Sequence, residues 1–315
     1  MADNGVYSME ASLAKVGVRC KLSPRNPAMA FVGRAMSKLG LVRALARVGQ
    51  TAYLVPGDQG ADWRCFPVTY SHEVVPWMFD AWPNLYGKIE RMLRRQRVRL
   101  AFCSARQSAE HLTRKLGIEC VWLPEACDAT LFNPSKRLAE RTIDVLELGR
   151  KYDAWHEAVT DRLATLGKVH LYERVRGQMI FGTEQAMRAG YGDAKVSISF
   201  PSSLTHPARS GNVETVTLRY FESMAAKCLI VGHCPAELKD IMGYNPVVEA
   251  DMSSAESAAG QIEEILANVD RHQEQVERNY RAVLERGVWD VRIRELLDEL
   301  AKRGYEADIG RSRGV

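Results

Sequence analysis

The chain lacks long hydrophobic runs, paired cysteines and a strong charge of either sign. In its 315 residues no apolar stretch approaches the roughly 20 residues that span a bilayer. Asp3 and Glu10 interrupt the N-terminal stretch, and no apolar signal-peptide core follows. The seven cysteines, from Cys20 and Cys65 to Cys228 and Cys234, include no Cys-x-x-Cys pair. An odd number set in apolar surroundings, as in Ala101-Phe102-Cys103, reads as reduced thiols acting as small hydrophobes. It argues against a disulfide framework and against a structural zinc site. The net charge of +4 permits an anionic ligand without demanding nucleic acid.

What is present is ordinary for a globular protein: 46% hydrophobic and 26% charged residues, enough to build sizeable cores. The length suggests about two domains. In the first half, strand-like runs such as Gly17–Leu22, Ala52–Pro56, Cys65–Tyr70, Leu100–Ser104 and Cys120–Pro124 alternate with helical patterns. The helices are expected over Tyr7–Lys15, Phe31–Val48, Tyr86–Arg97 and Ala105–Leu116. After a polar connection around Asn133-Pro134-Ser135 the alternation restarts. Strands are expected over Ile143–Gly149, Val169–Tyr172, Lys195–Phe200, Cys228–Val231 and Pro246–Val248. Helices are expected over Asp153–Leu166, from near Thr217, around Ile262–Val269 and around Ile293–Leu300. This order predicts an α/β protein of two Rossmann-like halves with parallel sheets facing a central cleft. Ligands in such sheets bind outside the carboxyl ends of the strands. The loops to watch are therefore Gly149-Arg150-Lys151 and Pro201–Leu218.

The second of these holds two carboxylates eight positions apart, Glu214 and Glu222. A helix starting near Thr217, capped by Thr215 or Thr217, would present free N–H groups and a partial positive charge to an anion. Arg219 would lie in its first turn, where a cation opposes the helix dipole by ~0.3–1 kcal/mol. A bound phosphate would reverse that cost; pairing with Glu214 or Glu222 is the alternative. A carboxylate one turn into the helix, as Glu222 would be, can take two hydrogen bonds from a ribose diol. Solvated surface positions are the plainer reading of both glutamates.

The run Asn212-Val213-Glu214 followed by Arg219-Tyr220-Phe221-Glu222-Ser223-Met224-Ala225-Ala226-Lys227-Cys228-Leu229-Ile230-Val231 resembles the Glu-x7-Glu signature of retaining GT-B glycosyltransferases. The Thr-Leu-Arg-Tyr-Phe-Glu form is most similar to the group 1 (family 4-like) subset that includes spore-maturation-type proteins. Trp122–Pro134, Ile143–Arg150 and Gly287–Arg292 resemble, in order, the end of the N-terminal domain, the first strand and Gly-Arg turn of the donor domain, and the C-terminal crossover. The resemblance implies an acceptor-binding domain over 1–135, a nucleotide-sugar donor domain over 136–288 and a crossing helix over 289–315. It implies a hexosyltransferase that uses a nucleotide-diphosphate sugar, UDP- or GDP-linked, with retention of configuration and no further cofactor. Glu222 would hold the ribose and Glu214 the sugar hydroxyls. The side chain of Arg150, with Lys151 directly after it, and the stretch Thr215, Val216, Thr217, Leu218 and Arg219 would hold the diphosphate. No Asp-x-Asp metal motif stands beside this loop, so no metal ligands are expected and Arg150 and Arg219 would balance the leaving group's charge.

His72 follows the Cys65–Tyr70 run and by the resemblance would face the sugar; a surface or core histidine is the other reading. His206 and Arg209 are expected either to close over the donor or to be plain loop residues. Trp77, Phe79, Trp82 and Tyr86 suit stacking on a sugar or ordinary core packing. Residues 88–99 carry six positive side chains and one negative. They fit a solvated helix face or peripheral contact with anionic lipid heads at the inner face of the membrane. Nucleic acid is the weaker expectation, since no stacking platform accompanies the charge. Competing functions are a nucleotide-sugar epimerase or hydrolase, a non-catalytic sugar-nucleotide-binding protein, and a DNA-base glycosyltransferase. The acceptor is open: a glycan, a lipid-linked sugar or a small molecule.

Overall fold

The computed structural model describes residues 4–18, 27–39, 51–57, 72–132, 134–175 and 177–307. The chain divides into two compact units, one of Met1–Glu125, Ala208–Thr215 and Arg292–Val315, the other of Ala126–Pro207 and Val216–Val291. No helix among the described residues is long and apolar enough to cross a membrane.

The first unit holds a parallel sheet of β1 (Ala52–Gly57), β2 (Glu73–Met78), β3 (Leu100–Cys103) and β4 (Glu119–Trp122), in that spatial order. Parallel neighbours need a crossover, here the helices Tyr86–Arg95 and Arg106–Leu116. The first of these buries Ile89, Met92 and Leu93, at i, i+3 and i+4, and exposes Lys88, Arg91 and Arg94. Its apolar face belongs to the unit's own core, so only its charged face remains for a membrane. The helix stops at Arg95, short of the expected Arg97, whose φ of 50° lies in the left-handed region. Arg99, beyond it, forks onto Glu73 at 2.7 and 3.1 Å.

The second unit holds five parallel strands in the order β6-β5-β7-β8-β9. They are β5 (Ile143–Glu147), β6 (His170–Tyr172), β7 (Ala194–Ser199), β8 (Leu229–Gly232) and β9 (Val248–Glu249). Successive side chains on a strand face opposite sides, and each side has its own core. Leu146 and Ile230 join Tyr220, Phe221, Met224 and Val283 in one cluster. Val145, Leu229 and Val231 join Trp155, Val159, Leu163 and Ile262 in the other. Burial on both faces explains why these strands are near-continuous apolar runs rather than alternating ones.

Several elements differ from expectation. Trp77 lies inside a strand the sequence reading missed: Pro76 suggests a break, yet β2 pairs on both sides and buries Trp77 fully, its Nε1 donating to Leu123 O at 3.0 Å. Trp82 is buried too, so these two aromatics are core. The expected strand over Cys65–Tyr70, most of that over Gly17–Leu22, the helix beyond Leu39, and Cys20 and Cys65 lie outside the described residues. The last strand is only Val248–Glu249. The helices Glu184–Gly192, Ala236–Met242 and Gln273–Arg286 were not anticipated. The five cysteines within the described residues are free thiols, all buried except the half-buried Cys120.

Candidate functional site

In the second unit the loops that leave β5, β7 and β8 rise from the carboxyl ends of adjacent parallel strands. β5 runs into Gly149-Arg150-Lys151. Gly149 has φ 77°, a conformation that favours glycine. The lack of a side chain matters as much, because a Cβ here would stand 2.2 Å from Arg219 Nη2. The Arg219 guanidinium therefore packs directly on the Gly149 backbone. Next along the turn, Arg150 Nη1 donates to Ser202 Oγ in the loop after β7 (3.1 Å). Lys151 turns elsewhere: its Nζ donates to Glu173 O at 3.0 Å and lies 5.0 Å over the Tyr172 ring.

The helix after the long loop is Leu218–Ala225. Tyr220, Phe221, Met224 and Ala225 anchor it to the sheet. The Tyr220 hydroxyl lies 2.7 Å from His233 O and 3.3 Å from Ser199 O, tying the helix to the ends of β8 and β7. Thr217 occupies the N-cap position with extended backbone, but its side chain makes no capping hydrogen bond. Thr215 does not cap either: it is buried and its Oγ1 donates to Ser104 O at 3.3 Å. The expected threonine cap is thus replaced by a helix start whose side-chain cap is missing. Val216 N–H is directed at Glu237 Oε2 (3.4 Å), so that donor already has an internal acceptor. Leu218 and Arg219, in the first turn, remain partly open to solvent.

Glu222 lies one turn further on. Burial raises its pKa, and the nearby charges of Arg219 and Arg188 and a hydrogen bond from Tyr191 oppose the rise without cancelling it. Tyr191 is itself buried and, with Glu222 beside it, is held well above the ordinary phenol value. Arg219 is thus shared between the Gly149 turn and the Glu222 pocket, a convergence the sequence spacing did not reveal.

Glu214 is held otherwise. Its segment groups with the first unit. Gln107, which the sequence reading passed over, grips this loop from both sides: its Oε1 accepts from Glu214 N–H (2.7 Å) and its Nε2 donates to Asn212 O (3.3 Å). Arg209 is ion-paired with Asp80 at 2.8 Å and lies 5.3 Å over the Trp82 ring. His206 is exposed. His72 stands just before β2, at its amino end, edge-on to Tyr53 with ring centroids 5.1 Å apart. The strand it was expected to follow, Cys65–Tyr70, lies outside the described residues; within them His72 precedes β2, at that strand's amino end.

A model of the glycosyl transferase-like family matches residues 136–298, just over half of the chain. The chain belongs to the glycosyl transferase-like family. No curated protein matches it. Among solved structures it is similar to a glycosyltransferase from Rickettsia africae ESF-5, with 12% identity, 90% of this chain and 84% of that one covered, and a TM-score of 0.55. It is similar also to a sucrose-phosphate synthase from Thermosynechococcus elongatus, with 11% identity, 88% and 78% covered, and a TM-score of 0.59. A third is Anabaena HepE in complex with UDP, with 10% identity, 88% and 84% covered, and a TM-score of 0.54. At such identities the likeness speaks for the fold: two parallel α/β sheets of the GT-B type. The family match covers the second unit almost entirely, including Gly149, Arg150, Arg219 and Glu222.

In this glycosyl transferase-like chain the Gly149 turn makes a direct test of the site. Gly149→Ala must move the Arg219 guanidinium, a flexible end that can yield, and must hold an L residue at positive φ for about 1–2 kcal/mol. The expected result is a modest loss of stability and, if the turn holds a nucleotide-diphosphate sugar, roughly tenfold weaker binding of it, read by denaturation and calorimetry together. Unchanged affinity would separate Arg219 from ligand binding.

Proposed function

We propose that this chain transfers a hexose from a nucleotide-diphosphate sugar to an acceptor with retention at the anomeric carbon. The observation that carries the reading is the packing of Arg219 on the Gly149 turn, beside a helix start with no side-chain cap and next to a half-buried carboxylate, Glu222. An anion fits the first two features and a diol the third. In this reading Leu218, Arg219 and Arg150 take the diphosphate, and Glu222 takes the ribose hydroxyls. Thr215 and Val216 shape the loop through contacts of their own, Thr217 contributes backbone only, and Lys151 braces the turn. Glu214 is assigned to the donor sugar hydroxyls on the strength of the family signature. His72, which the resemblance would turn to the sugar, is left outside this reading because it stands at the amino end of β2.

As the glycosidic bond breaks, negative charge grows on the diphosphate. Fixed guanidinium groups and helix N–H groups aimed at that charge lower the barrier without waiting for solvent to reorganise. A planar guanidinium matches phosphate oxygens in a fork. The acceptor hydroxyl then attacks the anomeric carbon from the face the diphosphate leaves and passes its proton to the departing phosphate oxygen, which gives retention. The charge balance is supplied by arginine, so added Mg2+ or Mn2+ should not raise turnover. UDP- and GDP-sugars are the favoured donors.

A thermal-shift series with UDP-, GDP-, ADP- and dTDP-sugars tests the reading. One class should raise the melting temperature, because a ligand bound only by the native state stabilises it. Proton NMR of the product anomer then tests retention. No shift with any donor would sink the proposal.

A further inference from the structure

Two residues before the Gly149 turn begins a cluster that the proposed donor site does not use. Glu147 ends β5, His170 begins β6, and His156 sits in the first turn of the helix Asp153–Thr165. One ligand atom from each lies within 4.8 Å of the others, which no other trio of His, Cys, Asp or Glu achieves among the described residues. Glu147 is 1% exposed and His170 8%. His156 Nδ1 is 2.5 Å from Glu147 Oε2, and His170 Nε2 is 3.5 Å from the same oxygen. Yet Glu147 Oε1 and His170 Nδ1 have no hydrogen-bond partner, and His170 Nε2 has only its long approach to Glu147 Oε2. Buried polar atoms are seldom left so, because each costs its lost hydration. Two such atoms and a third so weakly held, all in one cluster, indicate a missing partner.

From this geometry we infer a binding site for one divalent transition-metal ion, zinc or a close relative, held by Glu147, His156 and His170. Two imidazoles and one carboxylate suit zinc, cobalt or nickel and not magnesium or calcium, which prefer oxygen ligands throughout. Ligand atoms around a tetrahedral zinc stand about 3.3 Å apart, given metal–nitrogen distances near 2.0–2.1 Å. His170 Nε2 already stands close to that spacing from Glu147, and His156 Nδ1 needs to withdraw by less than about 1 Å. Tyr172 closes one side, its ring centroid 4.6 Å from that of His170 and 4.7 Å from that of His156. A water molecule completes the fourth position. The ion ties β5, β6 and the intervening helix together just before the turn that carries Arg150. Its role is structural, and it is independent of the donor reading.

The test uses the full chain without a histidine tag, stripped with chelator and then titrated with Co2+ or Zn2+. Visible d–d absorption saturating at one Co2+ per chain is expected, with Zn2+ raising the melting temperature by roughly 5–10 °C at saturation and Mg2+ leaving it unchanged. His170→Phe keeps a ring against Tyr172 and should abolish both signals; His156→Gln, at a partly open position, should abolish or strongly weaken them. If His170→Phe does not fold, His156→Gln decides alone. No cobalt band, an equal shift with Mg2+, or full signals in the variants would overturn the site. None of these readouts involves a sugar nucleotide, so they stand or fall apart from the proposed transferase activity.

Discussion

Glu222→Ala should weaken binding of the nucleotide-diphosphate sugar by about tenfold to a hundredfold. Hydrogen bonds to a charged group contribute about 1.5–3 kcal/mol each, and in the proposed reading removing the carboxylate also leaves the ribose hydroxyls without acceptors. The loss should not come from misfolding, and the carboxyl's own titration explains why. Burial raises its pKa in spite of Arg219, Tyr191 and Arg188. A carboxyl whose folded pKa lies above its unfolded one favours folding while protonated. It loses that contribution as pH rises through the folded value. Wherever Glu222 is ionised it is therefore a net cost to the fold. Glu222→Gln should melt no lower than the parent at neutral pH, and the parent should catch up as pH falls toward the ordinary carboxylate range. Calorimetric affinity beside melting temperature across pH 4–8 measures both. Full affinity in Glu222→Ala, or a Glu222→Gln variant that is markedly less stable at neutral pH, would remove this residue from the proposed site.

Gly232→Ala should be the most damaging single-methyl substitution in the second unit. Gly232 closes β8 with φ 152°, in a region that essentially only glycine visits. A Cβ there would stand 1.9 Å from Ser199 O and 2.7 Å from Ser199 C, on the neighbouring strand β7. That carbonyl is no flexible tip: His233 N–H donates to it at 3.1 Å and the Tyr220 hydroxyl approaches it at 3.3 Å. Strain and overpacking each cost about 1–3 kcal/mol, so a loss near 3 kcal/mol or more is expected. That corresponds to roughly 6–12 °C in melting temperature. Gly260, in the helix Ala255–Ala267 with open space where a Cβ would go, is the control. Gly260→Ala should be neutral or stabilising by up to about 1 kcal/mol. A Gly232→Ala variant as stable as the Gly260 control would show that β7 and β8 can part without cost.

Much of the fold was legible because its parallel strands are buried on both faces. Ile143–Glu147, Ala194–Ser199 and Leu229–Gly232 stand out as apolar runs bounded by polar or glycine turns. β2 was missed because Pro76 mimics a break and its aromatics mimic a stacking patch, whereas pairing with β1 and β3 outweighs both. The helices Glu184–Gly192 and Gln273–Arg286 were missed because short or highly charged segments take their stability from packing rather than periodicity.

By itself, the order of residues determined two parallel α/β sheets and the glycosyltransferase likeness around Glu214 and Glu222. These are local matters, written in runs of neighbours and in short fixed spacings. Tertiary structure alone decided which groups meet. It folded Arg219 onto Gly149, 70 positions away in the chain. It gave Glu214's loop to Gln107 and the Thr215 hydroxyl to Ser104. It also drew Glu147, His156 and His170 from a strand, a helix and the next strand into one buried cluster, with no motif to announce it. Such meetings depend on strand order and crossover length, and no spacing along the chain encodes them.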